Sequence, residues 1–151
     1  MPLTIRPLQQ ADEKEWRQAF AAFWTFFGRE LDSDLYDLTW QRLFDPAERM
    51  YAIGAFDHDH LIGLAHIVAH RSFSAEGLDH YMQHLFVEQH ARKKGIGRAL
   101  IQWIYASVEA EGGHRVYWNT PADNEPALKL YDSIARDVGF RLYRKEFLRA
   151  R

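Results

Sequence analysis

The segment "ARKKGIGRAL", residues 91–100, places three basic side chains and two glycines directly before a helical pattern. The first amides of a helix have no acceptor within the helix and carry partial positive charge. A glycine loop lets an anion approach such amides closely, and neighbouring cations strengthen the attraction. The segment therefore predicts a pyrophosphate site, although an exposed loop before a helix explains these residues equally well. It fits neither the Walker pattern nor the dinucleotide pattern, whose third glycine is Leu100 here.

The run Asp57-His58-Asp59-His60 contains side-chain atoms that could bind a metal. It lies between two strand-like segments, "MYAIGAF" and "LIGLAHIVAH", and polar residues are typical of such turns. Ligands spaced by two residues within one turn seldom complete a metal site. We therefore interpret the run as a hairpin turn, and we predict no metal site in the chain.

Hydrophobic spacing predicts the elements that would position the glycine segment. "LTIRPL" is a first strand that Pro7 ends. A helix with an aromatic stripe follows, and Asp12 and Glu15 would form a capping box at its start. A second helix runs from near Ser33 to before Asp45. The hairpin and the strand "HYMQHLFVEQ" lead to the glycine segment and its helix, which Gly112-Gly113 ends.

The remaining chain predicts a strand "RVYWNT", a helix and a last strand. Asn124 would cap the helix, Gly139 would end it, and "FRLYRKEFL" alternates as a strand. The buried face of this helix would carry Ala127, Leu130, Tyr131, Ile134 and Val138. The order β-α-α-β-β-β-α-β-α-β predicts an α/β (α+β) fold with one mixed, mostly antiparallel sheet flanked by helices.

Composition restricts the function classes. The 151 residues fit one domain, residues 1–151, and 47% hydrophobic content supports a core. The net charge of −2 gives no general attraction to nucleic acid or membrane, and the absence of cysteine excludes thiol chemistry and disulfides. No signal peptide or membrane span is visible, so we expect a cytoplasmic protein.

"VEQHARKKGIGRALI" resembles the R/Q-x-x-G-x-G/A signature of the GNAT superfamily of acetyl-CoA-dependent N-acetyltransferases. Arg92, Gly95 and Gly97 occupy its defining positions. "NEPALKLYDSIARDVGF" is similar to the family's downstream N-x-x-A-x-x-L-Y segment, although the distance from Tyr131 to Gly139 is about one helical turn longer than in many members. The resemblance is closest to the histone or polyamine acetyltransferase-like subgroup.

The resemblance implies acetyl-CoA as co-substrate, a primary amine as acceptor and direct transfer. The Leu85 backbone amide would polarise the thioester carbonyl, and Tyr131 would protonate the departing thiolate. His84 is the candidate base, because an acidic pair common in related members is replaced by Gln83 and His84. The implied cofactor-binding residues are Leu85, Phe86, Val87, Arg92, Lys93, Lys94, Gly95, Ile96, Gly97, Arg98, Asn124, Ala127 and Tyr131.

Alternatives remain open for three of these residues and for the protein as a whole. For Tyr131 the alternative is a core aromatic, for His84 a packed strand residue, and for Asn124 a simple helix cap. For the protein, a non-catalytic acyl-CoA-binding module and a protein-lysine acetyltransferase compete with an enzyme for a small amine or amino acid. Nucleic acid and membrane are not expected partners, and the resemblance implies a homodimer without any residue pattern that marks an interface.

Overall fold

The computed structural model describes residues 2–149, which divide into two compact units. The first unit ends at Trp118 and the second begins at Asn119.

The first unit contains a five-stranded sheet with the strands in chain order. Neighbouring strands are antiparallel except for the last pair, which is parallel. The strands are β1 (Leu3–Pro7), β2 (Met50–Asp57), β3 (His60–His70), β4 (Asp79–Val87) and β5 (Arg115–Tyr117). The helices are α1 (Glu13–Phe26), α2 (Ser33–Leu43) and α3 (Ile96–Ala110), with short 3-10 helices at Gln10–Asp12 and Gln89–Ala91.

Helices cover both faces of this sheet. Of the predicted aromatic stripe of α1, Trp16, Phe20 and Phe23 are buried with Trp40 of α2 against one face, where Leu64 of β3 joins the core. Trp24 is partly buried, and Phe27 is 54% exposed. On the other face, a Cβ at Gly63 would lie 2.9 Å from Ile96 of α3, so glycine permits the close approach of that helix. Since side chains alternate between the faces of a strand, Gly63 and Leu64 face opposite layers. The predicted α+β fold class, with a mixed sheet flanked by helices, is confirmed.

The start of α1 differs from the prediction. The Asp12–Glu15 capping box is wrong, because the Asp12 carboxylate accepts from the Gln9 backbone N–H at 2.7 Å and pairs with Arg6 at 2.8 Å. Glu15 is turned toward β3, where it accepts from the Leu61 N–H at 2.9 Å. The box therefore lies one turn earlier, and a carboxylate that could cap a helix instead fixes a neighbouring strand.

The second unit contains α4 (Glu125–Ile134), which is shorter than predicted. Its predicted end at Gly139 is wrong, because Ala135 is already extended and Val138 lies outside the helix. The Asp137 carboxylate accepts from the Gly139 N–H at 2.8 Å. Such a side-chain-to-backbone bond competes with helical hydrogen bonding, which accounts for the early end.

The predicted last strand is also wrong. Residues 140–148 pair with no strand in the part of the chain that the structure describes. Phe140 and Leu148 are 89% and 97% exposed. Alternation of apolar residues is compatible with a strand, but a strand forms only where a second backbone supplies the ladder.

Candidate active site

β4 has one partly open edge, and it carries a β-bulge on the side that pairs with β3. β4 pairs with β3 along its length, but a register shift between His66 and Ile67 leaves Gln83 without a directly opposite residue. Its pairing with β5 covers only Asp79–Tyr81. In the described residues, the stretch from Met82 to Val87 therefore has a strand partner on one side only. An extended, amide-bearing ligand could pair with such an edge.

The backbone direction along this edge alternates. The Glu88 N–H donates to the Ile62 carbonyl of β3 at 2.9 Å. Because successive residues of a strand point to opposite sides, the N–H groups of Val87 and Leu85 point away from β3. The Phe86 backbone faces β3, and its side chain packs against the aromatic core. The geometry thus separates Leu85 and Val87, which face the open edge, from Phe86, which does not.

The loop after β4 is held in a shape that exposes backbone at the start of α3. The Arg92 Nε–H donates to the Val87 carbonyl at 2.9 Å, and its guanidinium lies over the Phe26 ring at 5.1 Å. Lys93 and Gly95 have φ angles of 62° and 80°. Arg92 therefore shapes the loop through its side chain, while the left-handed turn at Gly95 suits a residue without a Cβ.

Gly95 leads directly into the first turn of α3. The first intrahelical bond runs from the Ala99 N–H to the Gly95 carbonyl at 3.0 Å. The amides of Ile96, Gly97 and Arg98 precede that bond, and Gly95 has no side chain to accept from them. A Cβ at Gly95 would meet nothing within 4 Å, so the space beside this turn is open.

The side chains around this turn differ in their exposure. Lys93 and Lys94 are exposed and add positive charge, whereas the Ile96 side chain is buried in the core. An anion fits this geometry.

His84 belongs to a buried hydrogen-bond chain that runs from α1 to β4. The indole N–H of Trp16, which can only donate, lies 2.9 Å from His66 Nε2. His66 Nε2 is therefore an acceptor, and a neutral His66 carries its proton on Nδ1. That Nδ1 lies 3.1 Å from His84 Nδ1, which must accept. The chain of donors thus places the remaining proton of a neutral His84 on Nε2.

Burial keeps both histidines neutral. It lowers the pKa of His66 to about 3, and it lowers the pKa of His84 to about 4. A histidine with its ordinary pKa titrates near neutrality, and burial moves His84 well below that range. At pH 7, His84 offers an N–H donor at Nε2, while its only lone pair is engaged by His66.

Trp16 and His66 were not singled out from the sequence. Trp16 fitted the apolar stripe of α1, and an indole is a normal core residue. His66 stands in the otherwise apolar run "LIGLAHIVAH", and this one polar residue was the available signal. It is 8% exposed, so its polar atoms require partners.

The second unit carries the remaining predicted residues. Asn124 is exposed and is the N-cap residue of α4, as predicted, but its side chain makes no cap hydrogen bond. Ala127 and Tyr131 are half-buried on α4. Burial raises the pKa of the Tyr131 phenol, which keeps the phenol protonated at neutral pH.

Residues 14–135 match the Acetyltransferase (GNAT) family. The chain belongs to the GNAT family. It is 30% identical over 146 residues to the D-amino-acid N-acetyltransferase HPA3 of Saccharomyces cerevisiae, an alignment that covers 95% of the chain and 90% of the relative. This membership and the named relative make the protein an acyl-CoA-dependent acetyltransferase.

Solved structures show the same GNAT fold. The ribosomal-protein-alanine N-acetyltransferase of Brucella melitensis biovar Abortus 2308 superposes with a TM-score of 0.82 at 22% identity, covering 97% of this chain and 100% of that one. The structure of AAC(6')-Iy in complex with the bisubstrate analogue CoA-S-monomethyl-acetylneamine gives a TM-score of 0.75 at 17% identity, with 100% and 99% coverage. Within residues 2–149, no helix is both long and apolar enough to cross a membrane.

Proposed function

We propose that this GNAT protein transfers the acetyl group of acetyl-CoA directly to a primary amine of a small molecule, with an amino acid as the preferred acceptor class. The observation that carries the proposal is the juxtaposition of the open β4 edge with the glycine turn before α3. The pantetheine amides would pair with the edge at Leu85 and Val87. The pyrophosphate would lie on the backbone of Arg92 to Arg98, beside Lys93 and Lys94.

The transfer itself needs one nucleophile and one proton donor. The amine nitrogen attacks the thioester carbonyl carbon, the C–S bond breaks, and the Leu85 N–H stabilises the oxyanion that forms between these events. Tyr131 gives its phenolic proton to the leaving sulfur and regains one from solvent. The nitrogen loses its surplus proton to water. A protonated phenol at neutral pH suits this role, although its raised pKa makes the transfer to a thiolate more dependent on positioning.

His84 has a different role from the base that the sequence suggested. Because its Nε2 carries hydrogen and its Nδ1 accepts from His66, it can donate to an oxygen but cannot readily take up a proton. We propose that His84 donates to an oxygen of the acceptor, such as the carboxylate of an amino acid. The yeast relative is a D-amino-acid N-acetyltransferase, which supports an acceptor of this class.

Several further assignments belong to the same proposal. Asn124 and Ala127 would contact the pantetheine, because they match the family's downstream motif. Gly97 and Ile96 would contribute backbone amides, and Phe86 would contribute packing only. We also propose a single domain over residues 1–151, a cytoplasmic location and a homodimer. Coincident unfolding transitions by tryptophan fluorescence and circular dichroism, and the solution mass, test the first and the last.

Release of free CoA thiol, measured with a panel of acceptors, tests the proposed function. D- and L-amino acids should give turnover above that of polyamines, aminoglycosides and lysine peptides. Tyr131→Phe should lower kcat by about 100-fold with little change in KM, because it removes only a proton donor. Acetyl-CoA binding without turnover on the whole panel, or unchanged kcat in Tyr131→Phe, would contradict the assignment.

A further inference from the structure

Three side chains with metal-binding atoms converge just beyond the end of β4. They are His60 at the start of β3, Glu88 after β4, and His90 in the 3-10 helix that precedes Arg92. One ligand atom from each lies within 4.8 Å of the others. We propose that His60 Nε2, Glu88 Oε2 and His90 Nδ1 bind a divalent transition-metal ion of the zinc type.

The distances within the cluster suit a tetrahedral ion. Glu88 Oε2 lies 3.1 Å from His60 Nε2 and 3.3 Å from His90 Nδ1. Zinc bonds of about 2.0–2.1 Å in tetrahedral geometry separate neighbouring ligand atoms by about 3.3 Å. The shorter of the two is also the distance of a hydrogen bond between His60 Nε2 and Glu88, so the same spacing accommodates either a proton or a small ion.

A fourth side chain orients His60 for binding. The His60 Nδ1–H donates to Glu15 Oε2 at 2.8 Å, and that carboxylate also accepts from the Leu61 N–H at 2.9 Å. A ligating histidine typically donates its other ring N–H to a carboxylate, which fixes the tautomer and the ring plane. Nε2 lies at hydrogen-bond distance from the Glu88 carboxylate, so a metal ion would replace the Nε2 proton while Nδ1–H stays on Glu15. The position of Glu15 thus makes His60 a prepared ligand.

The backbone holds the ligands in register. The Glu88 N–H bonds to the Ile62 carbonyl at 2.9 Å, which joins the end of β4 to the start of β3. The His60 and His90 rings are parallel within 11°, with centroids 6.4 Å apart. Their side chains are 50% and 68% exposed, so water can reach the ion and fill a fourth position. Two imidazoles and one carboxylate favour zinc, nickel or copper over magnesium or calcium.

The run Asp57 to His60 forms the predicted hairpin turn, with Asp57 and His60 paired across it. The proposed site departs from the sequence expectation of no metal site, because His60 finds its co-ligands 28 and 30 residues away and not within the turn. A bound ion would tie β3 to the segment that leads into the Arg92 loop. The proposal does not depend on acetyl-CoA binding, and it can be tested without any substrate.

Calorimetric titration of the metal-stripped chain with Zn²⁺ tests the site. We expect one ion per chain with a dissociation constant of about 1 μM or lower. His90→Ala should abolish this binding, because it removes one of the three ligands. The fold should persist, since His90 contacts only Glu88 and the His60 ring among the interactions that the structure records. Glu15→Gln should weaken binding by about 10- to 100-fold, the usual effect of removing an outer carboxylate. Mg²⁺ and Ca²⁺ should give no saturable heat.

His58→Ala is the matched control, because His58 is 79% exposed on the adjacent turn and pairs only with Asp57 among the recorded contacts. It should bind Zn²⁺ like the parent chain. Circular dichroism and a Zn²⁺-dependent rise in Tm separate loss of the site from loss of the fold. Millimolar binding in the parent chain, meaning an adventitious ion only, would overturn the proposal. So would equal affinity in His90→Ala and His58→Ala, or no saturable heat, as expected if His60 holds a proton between Glu15 and Glu88.

Discussion

At the scale of single residues, one indole N–H sets the protonation pattern of two histidines. Trp16 fixes His66 as an acceptor at Nε2, and His66 in turn fixes His84 as an acceptor at Nδ1. A histidine beside an acetyl-transfer site would ordinarily be considered a base. Here its partners and its burial make it a neutral donor, so residue identity alone does not determine its chemistry.

Replacing His84 by glutamine should therefore preserve activity better than replacing it by alanine. Glutamine keeps an N–H donor and cannot act as a base. We therefore expect kcat/KM to stay within about tenfold of the parent value, and the acid limb of the pH profile of kcat/KM should not move. His84→Ala should lose more. If His84 were the base, both variants would fall by about 100-fold or more, and the acid limb of the pH profile would disappear.

The buried histidines should also make stability depend on pH. Their folded pKa values of about 3 and about 4 lie below the unfolded value of 6.5. The unfolded chain therefore binds protons more readily, so stability is complete above pH 6.5 and is lost as the pH falls toward 4. His66→Gln, which keeps a donor and an acceptor but does not titrate, should reduce this slope by about 1 kcal/mol per pH unit between pH 5 and pH 7. Urea unfolding at pH 7 and pH 5 measures it, and equal slopes in both proteins would contradict the account.

At the scale of elements, the sequence predicted what local patterns determine. The apolar spacing predicted α1, α2 and α3, and the glycines at 95 and 112 marked the two ends of α3. The last strand and the end of α4 were mispredicted, because pairing and the Asp137 turn depend on neighbours that periodicity does not contain. The Gln83 bulge and the open β4 edge likewise depend on how β4 pairs with β3 and with β5, which the pattern of one strand does not contain.

The two glycines of α3 provide a matched test of the anion site. Gly95 and Gly112 have φ angles of 80° and 74°, and a Cβ at either would meet nothing within 4 Å. Each change to alanine should therefore cost about 1 kcal/mol of unfolding free energy. Only Gly95→Ala should also weaken CoA binding, by about tenfold or more, because only its Cβ enters the space beside the first turn. Equal CoA affinity in the two variants, measured by calorimetry, would argue against this turn as the pyrophosphate site.

At the scale of the whole molecule, the GNAT fold and acyl-CoA dependence could be predicted from the two motifs and the element order. The tautomer of His84 and the His60–Glu88–His90 cluster could not, because their members come from separate strands and meet only when β3 and β4 pair. Groups whose members are far apart in the sequence cannot be recognised from its pattern, whereas a continuous loop such as residues 92–98 can.

The central claim is that acetyl-CoA binds along the open edge of β4 and over the first turn of α3. Backbone amide NMR shifts during titration with CoA test it most directly. If acetyl-CoA binds there, we expect the largest shifts at Leu85, Val87 and the amides from Gly95 to Arg98, with small shifts at β1 and at α2. Saturable binding that leaves these amides unmoved, or no binding by well-folded protein, would contradict it.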